Sequence, residues 1–443
     1  MKITATSKHL VLRFIALIEA IVICLLMFSC ANNEDEDDTD TPDVFKSRAE
    51  VVNKGGATAV VTYVIDDGAK ATADFAKTML SKYSLLNLTF AIETKDLATL
   101  KTQASPDGKT EYVMQDGKYV YDVNNANYEY WKSILDLGRT EIVSHTHTHS
   151  FWGTNDDGGV FEYVDNAGQL HTSSELPVGS TKKEIYASKQ ILQDLFPSSL
   201  YPSQKAISMV EPGIGVKTSS ATVGDKTVIS YKPYYDQLMK TAVMQGDYIG
   251  SRSTFQAKTG FEDYVNTKNY LKSIDNRMKV NAFMIVDANA GENIAYWKNY
   301  IDTAVDKGGW ACFCIHNISA QPMSGHYILE SQADELFAYT QSIGRDIWIA
   351  NFTEAMLYYC EWSTSKVTSS FSDNKITVTL TDRESRNDIY NIPLTVKVTV
   401  PDTWTSVTVG GETLSTLNDS DGNRYVYIDI VPDSGAVEIV SAS

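Results

Sequence analysis

Residues 140–152 read T-E-I-V-S-H-T-H-T-H-S-F-W and hold three of the protein's seven histidines, His145, His147 and His149. Glu141, Ile142 and Val143 in front of them predict a short buried strand, with β-branched side chains at Ile142 and Val143. The strand runs directly into the histidines. Metal-ligating side chains at the C-terminal end of a strand mark a site in an α/β fold. The spacing leaves two geometries open. On a helical turn, His145 and His149 share a face and His147 points away, so the ligands would be two histidines and a carboxylate. On a strand all three histidines share a face and would form the ligand set themselves.

Moving outward, other strands also end in polar groups. Residues 57–65 are an almost continuous apolar, β-branched run of the kind buried on both faces in a parallel sheet. The run ends in Asp66-Asp67-Gly68. The two adjacent carboxylates point to different sides of an extended chain, so they are expected to have different roles; two buried like charges also need a compensating cation or hydrogen bonds. A helix over 71–83 and a strand over 86–92 complete a βαβ unit. The alternation continues. Helices are predicted at 128–137, 180–195, 234–245, 294–307, 331–343 and 353–359, and strands at 205–210, 280–286, 310–316 and 347–350. Ser180 or Thr181 caps the second of these helices, with Glu184 at capping-box spacing. The strand at 310–316 ends in His316. Such alternation over about 300 residues predicts an α/β barrel or open parallel sheet, and in a barrel all these strand ends lie on one face.

Past Cys360 the pattern changes to short β-rich runs separated by turn signals such as Val409-Gly410-Gly411 and Asp421-Gly422-Asn423. This predicts a small all-β sandwich over 363–443, read as a structural or spacing domain. Trp404 is its one aromatic candidate for sugar contact. Cys312, Cys314 and Cys360 are read as buried apolar thiols, since Cys-Phe-Cys places both sulfurs on one face of a strand.

The N-terminus has another logic. Lys2, Lys8 and Arg13 precede an apolar run over 14–28 that closes in Ser29-Cys30, which reads as a secretory signal. The close resembles the lipobox of bacterial lipoproteins, so residues 1–30 are expected to be a signal peptide with lipidation at Cys30. The acidic stretch that follows resembles the surface-export signal of lipoproteins in Bacteroidetes-like bacteria. Residues 31–54 are expected to be a disordered tether. These features place the protein as lipid-anchored to the bacterial outer membrane and surface-exposed. Beyond the signal, 35 basic side chains face 55 acidic ones, a net charge of about −20. That balance argues against nucleic acid and anionic headgroups and suits neutral or cationic substrates such as sugars.

The combined motifs resemble the polysaccharide deacetylase family, carbohydrate esterase family 4, over roughly residues 57–360. The family's T-F-D-D-G stands as Val64-Ile65-Asp66-Asp67-Gly68, its H-[ST]-x-x-H as His145-Thr146-His147-Thr148-His149, and its L-x-H as Cys314-Ile315-His316. Leu88-Thr89-Phe90 resembles its second strand. The resemblance implies a distorted (β/α) barrel over 55–362. It implies that Asp67, His145 and His149 bind a divalent metal, usually zinc. It further implies Asp66 as general base and His316 as general acid in removal of acetyl or other small acyl groups from a polysaccharide. A backbone N–H in the Phe151 region would help hold the oxyanion. Two departures stand out. The third motif, Met209-Val210-Glu211-Pro212-Gly213, lacks the family's arginine, for which Arg252 is the candidate replacement; Asp287 is the candidate for the fourth motif. The missing arginine also motivates an alternative, a catalytically inactive glycan-binding lipoprotein on the same scaffold. Glu354 is read as structural.

Overall fold

The computed structural model describes residues 45–442, apart from 151–153, 155–161, 165–169, 173–175, 213–219, 224–225, 230–231 and 286–292. The signal peptide, Cys30, Phe151 and Asp287 lie outside the described residues. Residues from Ser47 onward form one compact unit.

At its centre are eight parallel strands: β1 (Ala59–Ile65), β2 (Leu88–Ile92), β3 (Thr140–Ser144), β4 (Met209–Val210), β5 (Ser251–Phe255), β6 (Val280–Met284), β7 (Trp310–Ile315) and β8 (Ile347–Ala350). Strands β1 to β7 pair in chain order, and β7 returns to β1 along six residue pairs from Trp310–Val60 to Ile315–Ile65, closing a seven-stranded barrel. The longer helices are α1 (Lys70–Lys82), α2 (Asn125–Leu135), α3 (Ser180–Leu195), α4 (Lys232–Met244), α5 (Asn293–Lys307), α6 (Glu330–Ser342) and α7 (Phe352–Thr364). The expected α/β barrel is thus present.

The barrel is distorted in two places, each with a local cause. On one edge of β1, strand β8 pairs with Ala59–Thr62, and β2 takes over only at Val64 and Ile65. The eighth strand is therefore a wedge at the barrel's lower end, held to β2's leading edge by Asn87 Nδ2 donating to the Ile349 carbonyl at 2.7 Å. On the other side, the strand expected over 205–210 shrinks to Met209–Val210. In its place the Gln204 side chain accepts from Ile142 N at 3.1 Å and donates to Ile142 O at 2.8 Å. A side-chain amide here stands in for a peptide of the missing strand, so the ladder loses no buried polar pair.

Period-2 alternation sorts the strand residues into two sets. Val61, Tyr63, Ile65, Phe90, Ile142, Phe313 and Ile315 pack outward into the shared core with Ala73, Met79 and Leu80 of α1 and Ile185 and Ile191 of α3. The opposite parity, including Thr62, Glu141, Arg252, Cys312 and Cys314, fills the barrel. Burying a large outward side chain such as Ile65 or Phe313 contributes about 1.5–3 kcal/mol.

The C-terminal region is a β-sandwich. One sheet orders Lys366–Ser372, Lys375–Thr381, Ala436–Ser441, Ser406–Val409 and Glu412–Ser415. The other contains Leu394–Thr399, Arg424–Ile430 and Leu417–Asn418, and gains an unexpected member. Ala49–Val51, inside the range read as tether, adds to its edge antiparallel to Val396–Val398. The alternation A-E-V is too short to signal a strand, and only an exposed partner edge makes it one. Tyr358 Oη on α7 donates to Val52 O at 2.6 Å and accepts from Thr395 N at 2.9 Å, tying barrel, leader strand and sandwich together. Trp404 is buried against Phe371, so it presents no platform to a sugar.

Candidate metal centre

The upper, C-terminal end of the barrel gathers Asp66, Asp67, His145, His149, Arg252 and His316. Asp66 extends the β1 ladder by one residue, its N–H donating to Ile315 O at 2.7 Å, and its inward parity buries the carboxylate. Asp67 leaves the ladder with φ 63° and turns its carboxylate into the mouth. The two adjacent acids therefore face different surroundings, as their spacing predicts.

The histidine segment adopts neither of the two geometries open to it from sequence. After β3 it forms an irregular turn in which Thr146 (φ 65°) and His149 (φ 59°) are both left-handed. For a β-branched residue such as Thr146 this is strained, and strain of about 1–3 kcal/mol per residue persists only where surrounding contacts hold it. Here they do. Thr94 N donates to Thr146 O at 3.2 Å, Lys95 N to His147 O at 2.9 Å, and Ser150 N to Thr146 Oγ1 at 3.2 Å. Glu184 accepts from Thr148 N at 2.7 Å and from Thr148 Oγ1 at 2.6 Å. Glu184 is thus used to brace this turn, not as a capping box; α3 begins after Gly179, in the left-handed region, with no side-chain cap.

The turn brings His145 and His149 together, ring centroids 4.6 Å apart, and points His147 away to Thr94 Oγ1 at 2.9 Å. Burial holds the His147 imidazole down at about 4, so it is neutral near pH 7. Asp67 Oδ1 lies 3.3 Å from His145 Nε2 and 3.4 Å from His149 Nε2. Burial alone would raise the Asp67 carboxyl, but the His145 and His149 imidazoles beside it, with His316 farther off, hold it well below the usual carboxylate range.

These three side chains fit a divalent ion. Separations near 3.3 Å are the edge of a tetrahedron whose corners lie about 2 Å from its centre, the bond length of zinc to nitrogen and oxygen. His145 Nδ1 lies 2.9 Å from Val210 O, so this nitrogen carries the proton and Nε2 presents a lone pair. That Nε2 is buried without a hydrogen-bond partner. A buried orphan nitrogen beside a carboxylate and a second imidazole is a site built for a cation. The donor set of two nitrogens and one oxygen suits zinc and its neighbours.

Beneath this cluster, the Asp66 carboxylate is held on one oxygen only. Oδ2 accepts from the Arg252 guanidinium and from Cys314 Sγ at 3.4 Å; Oδ1 is buried without a partner. Arg252 is itself fully buried, its neutral form opposed by the adjacent carboxylate. It projects from β5, one strand beyond the motif in which the family carries its arginine. His316 follows β7 and sits 3.9 Å, Nδ1 to Sγ, from Cys314. Burial lowers its pKa, against the opposing pull of Asp66 and Asp67. Asp66, Cys314 and His316 also converge, but Arg252 already supplies a cation to that group.

All five side chains expected to act at the site are thus within one cluster, whereas Glu354 lies elsewhere, paired with Lys54 at 2.6 Å. Three supporting groups carry no sequence signal that the motifs could reveal. The Val210 carbonyl is a backbone group, Thr94 belongs to the loop after β2, and the Cys314 thiol stands where the family has leucine.

No protein-family model matches the chain. A gellan lyase from a Bacillus species is 31% identical over 140 residues, a stretch that covers 30% of this chain and 6% of that enzyme's length. Three solved structures are similar at low identity. A Mycobacterium smegmatis protein assigned as a polysaccharide deacetylase is 12% identical, with TM-score 0.37, covering 69% of this chain and 94% of its own. A peptidoglycan deacetylase from Bacillus subtilis is 13% identical, with TM-score 0.30, covering 67% and 89%. A pseudoenzyme of carbohydrate esterase family 4 from Bacillus anthracis is 10% identical, with TM-score 0.30, covering 67% and 65%. Likeness at this level carries no argument about activity; the barrel and its upper cluster must do so.

Proposed function

We propose that the protein is a metal-dependent hydrolase that removes acetyl or other small acyl groups from a polysaccharide. The observation that carries this reading is the Asp67–His145–His149 face, with its orphaned His145 Nε2, directly above a buried Asp66 whose second oxygen is also orphaned. When bound, a divalent ion, most naturally Zn2+, would lower the pKa of water from about 16 towards 7 and polarise the acyl carbonyl. Asp67, His145 and His149 would hold it. Asp66 takes the proton of the attacking water on Oδ1, while Arg252 and Cys314 fix Oδ2 and so aim the free oxygen. His316, at the end of the neighbouring strand β7, donates a proton to the departing alcohol or amine. The acidic surface favours a neutral or cationic glycan over an anionic one.

The inactive glycan-binding alternative drew its support from the missing motif-three arginine. The Arg252 ion pair with Asp66 supplies that charge from another strand and favours an active centre. The lipidation signal at Cys30 supports placement at the outer membrane surface; export and anchoring rest on that sequence pattern.

The decisive experiment loads the protein with Zn2+ and measures acetate release from acetylated xylan and from N-acetylglucosamine polymers. We expect one equivalent of metal, lost in His145→Ala, and turnover lost with it. Metal binding unchanged in His145→Ala, or no turnover on any acetylated glycan, would sink the proposal.

A further inference from the structure

Away from the metal centre, the segment between β2 and α2 is not an irregular loop. It folds into three short antiparallel ladders: Ala98–Leu100 with Tyr121–Val123, Thr102–Ala104 with Thr110–Tyr112, and Met114–Gln115 with Lys118–Tyr119. This ribbon is clamped to α3. Gln190 Oε1 accepts from Tyr119 N at 2.8 Å and Gln190 Nε2 donates to Tyr119 O at 3.0 Å; Tyr121 Oη reaches Asp194 at 3.2 Å, and Val178 N donates to Thr110 O at 2.9 Å.

Between ribbon and helix lies a cavity of about 450 Å3, lined by Glu111, Tyr112, Met114, Tyr119, Lys182 and Tyr186 among others. The volume lies within the range of small-ligand sites. The Tyr112 and Tyr119 rings meet edge to face, centroids 6.1 Å apart, and the Lys182 ammonium stands 5.9 Å from the Tyr186 ring. Met114 is 48% exposed at the rim. Three half-buried tyrosines with an acid and an ammonium among them offer flat apolar faces alongside donors and acceptors. That is the chemistry that grips a sugar ring, whose C–H face is apolar and whose edge is all hydroxyl. One acid and one base leave the pocket without a net sign, which fits a neutral sugar.

The first turn of α3 links the wall of this cavity to the turn that carries the proposed metal ligands. Lys182 lies on the first turn of α3 beside Lys183 and Glu184. Lys183 Nζ reaches Thr148 Oγ1 at 3.3 Å, and Glu184 accepts from Thr148 N at 2.7 Å. Thr148 immediately precedes the ligand His149.

We infer that this pocket is a remote glycan subsite, holding a neutral pyranose unit of the same chain whose acyl group reaches the metal centre. The inference rests on the reading under Proposed function. Since the walls are locked by main-chain hydrogen bonds, the subsite is preformed, and its contribution grows with substrate length.

The test compares acetylated xylo-oligosaccharides and N-acetylglucosamine oligomers of two to six units. In wild-type protein, kcat/KM on the six-unit substrate of the accepted series should exceed that on the two-unit one by about tenfold, the worth of one well-packed aromatic contact. Tyr112→Ala should remove that advantage and leave hydrolysis of 4-nitrophenyl acetate unchanged. Lys182→Ala should lower that advantage about threefold, and serves as the test if Tyr112→Ala does not fold. The same length dependence in the variants as in wild type, or none in wild type, overturns the subsite. If zinc-loaded wild type leaves 4-nitrophenyl acetate and every oligomer intact, the reading of the centre falls instead. Calorimetric titration of the six-unit oligomers then decides the pocket alone: binding weakened by Tyr112→Ala upholds it, and binding unaffected or absent removes it.

Discussion

The two ends of the same barrel each bury a carboxylate, and they solve the problem differently. At the upper end, Asp66 meets a permanent cation, Arg252, and keeps one oxygen unpartnered. At the lower end, Glu141 has no cation among the described residues. Its Oε2 accepts from Thr89 Oγ1 at 3.0 Å and from Thr353 N at 3.1 Å. Thr353 lies in the first turn of α7, so Glu141 of β3 caps a helix whose own Asn351 offers no side-chain cap. Burial pushes the Glu141 carboxyl up to about 7, even with these donors lowering it. The lower acid takes two neutral donors on one oxygen and is a structural plug. The upper one is paired with a cation, half-satisfied and surrounded by left-handed residues. An unfilled hydrogen-bonding position is what a reaction requires and what a stable core avoids.

This contrast can be broken by substitution. The largest effect is expected at the upper end. Asp66→Asn should retain zinc, as read by metal analysis, yet lower the rate of acetate release about 10^3-fold, the usual scale for a general base. An active Asp66→Asn protein would remove Asp66 from the chemistry. Next, Arg252→Met leaves the Asp66 charge buried and alone, which costs about 3–5 kcal/mol in urea unfolding. The double variant Asp66→Asn with Arg252→Met should recover most of that loss, and failure to recover it would show that the pair is not the energetic unit.

At the lower end, Glu141→Ala should cost about 1–2 kcal/mol, a lost helix cap, with little change in kcat. Its pH behaviour gives a sharper measurement. The folded pKa of Glu141 lies above its ordinary value of 4.5, so its contribution to stability is complete below pH 4.5 and is lost as pH rises through about 7. At 1.36 kcal/mol per pKa unit this is roughly 3 kcal/mol. Glu141→Gln should flatten the decline in unfolding free energy between pH 4.5 and 7; an unchanged slope would place the titration elsewhere. A second pH-dependent effect is expected at the seam between α7 and the sandwich. Both Glu361 oxygens are buried without a partner, near Asp382, and burial with that neighbour pushes the carboxyl up to about 9. Glu361→Gln should therefore stabilise the protein at pH 8 and lose that advantage below pH 4.5, measured by urea unfolding at the two pH values.

Much of this organisation is legible in the chain. The strands β1, β2, β3 and β7 announce themselves as apolar, β-branched runs, and each run ends at or beside a chemically active group. Less was legible where side chains replace backbone. Gln204 pairs with Ile142 in place of a strand, and nothing in a glutamine's neighbours signals that use. The ladder of Ala49–Val51 depends on an edge supplied at Val396–Val398, far later in the chain. Glu184 sits at capping-box spacing from Thr181 yet serves Thr148, because a tertiary partner with two donors outcompetes a local one.

What the sequence determined by itself was the order of β and α elements and the residue types delivered to the strand ends. Periodicity encodes both, since burial on two faces requires continuous apolar runs and a two-residue repeat assigns each side chain to a face. The tertiary structure decided which of those residues meet. It turned His147 away and left Asp67 between His145 and His149, because the H-T-H-T-H segment is neither helix nor strand but a turn strained into shape by Thr94, Lys95 and Glu184. It also brought Arg252 to Asp66 from a strand whose motif has no arginine, since charge compensation in a barrel depends on what projects inward at one level, not on distance along the chain.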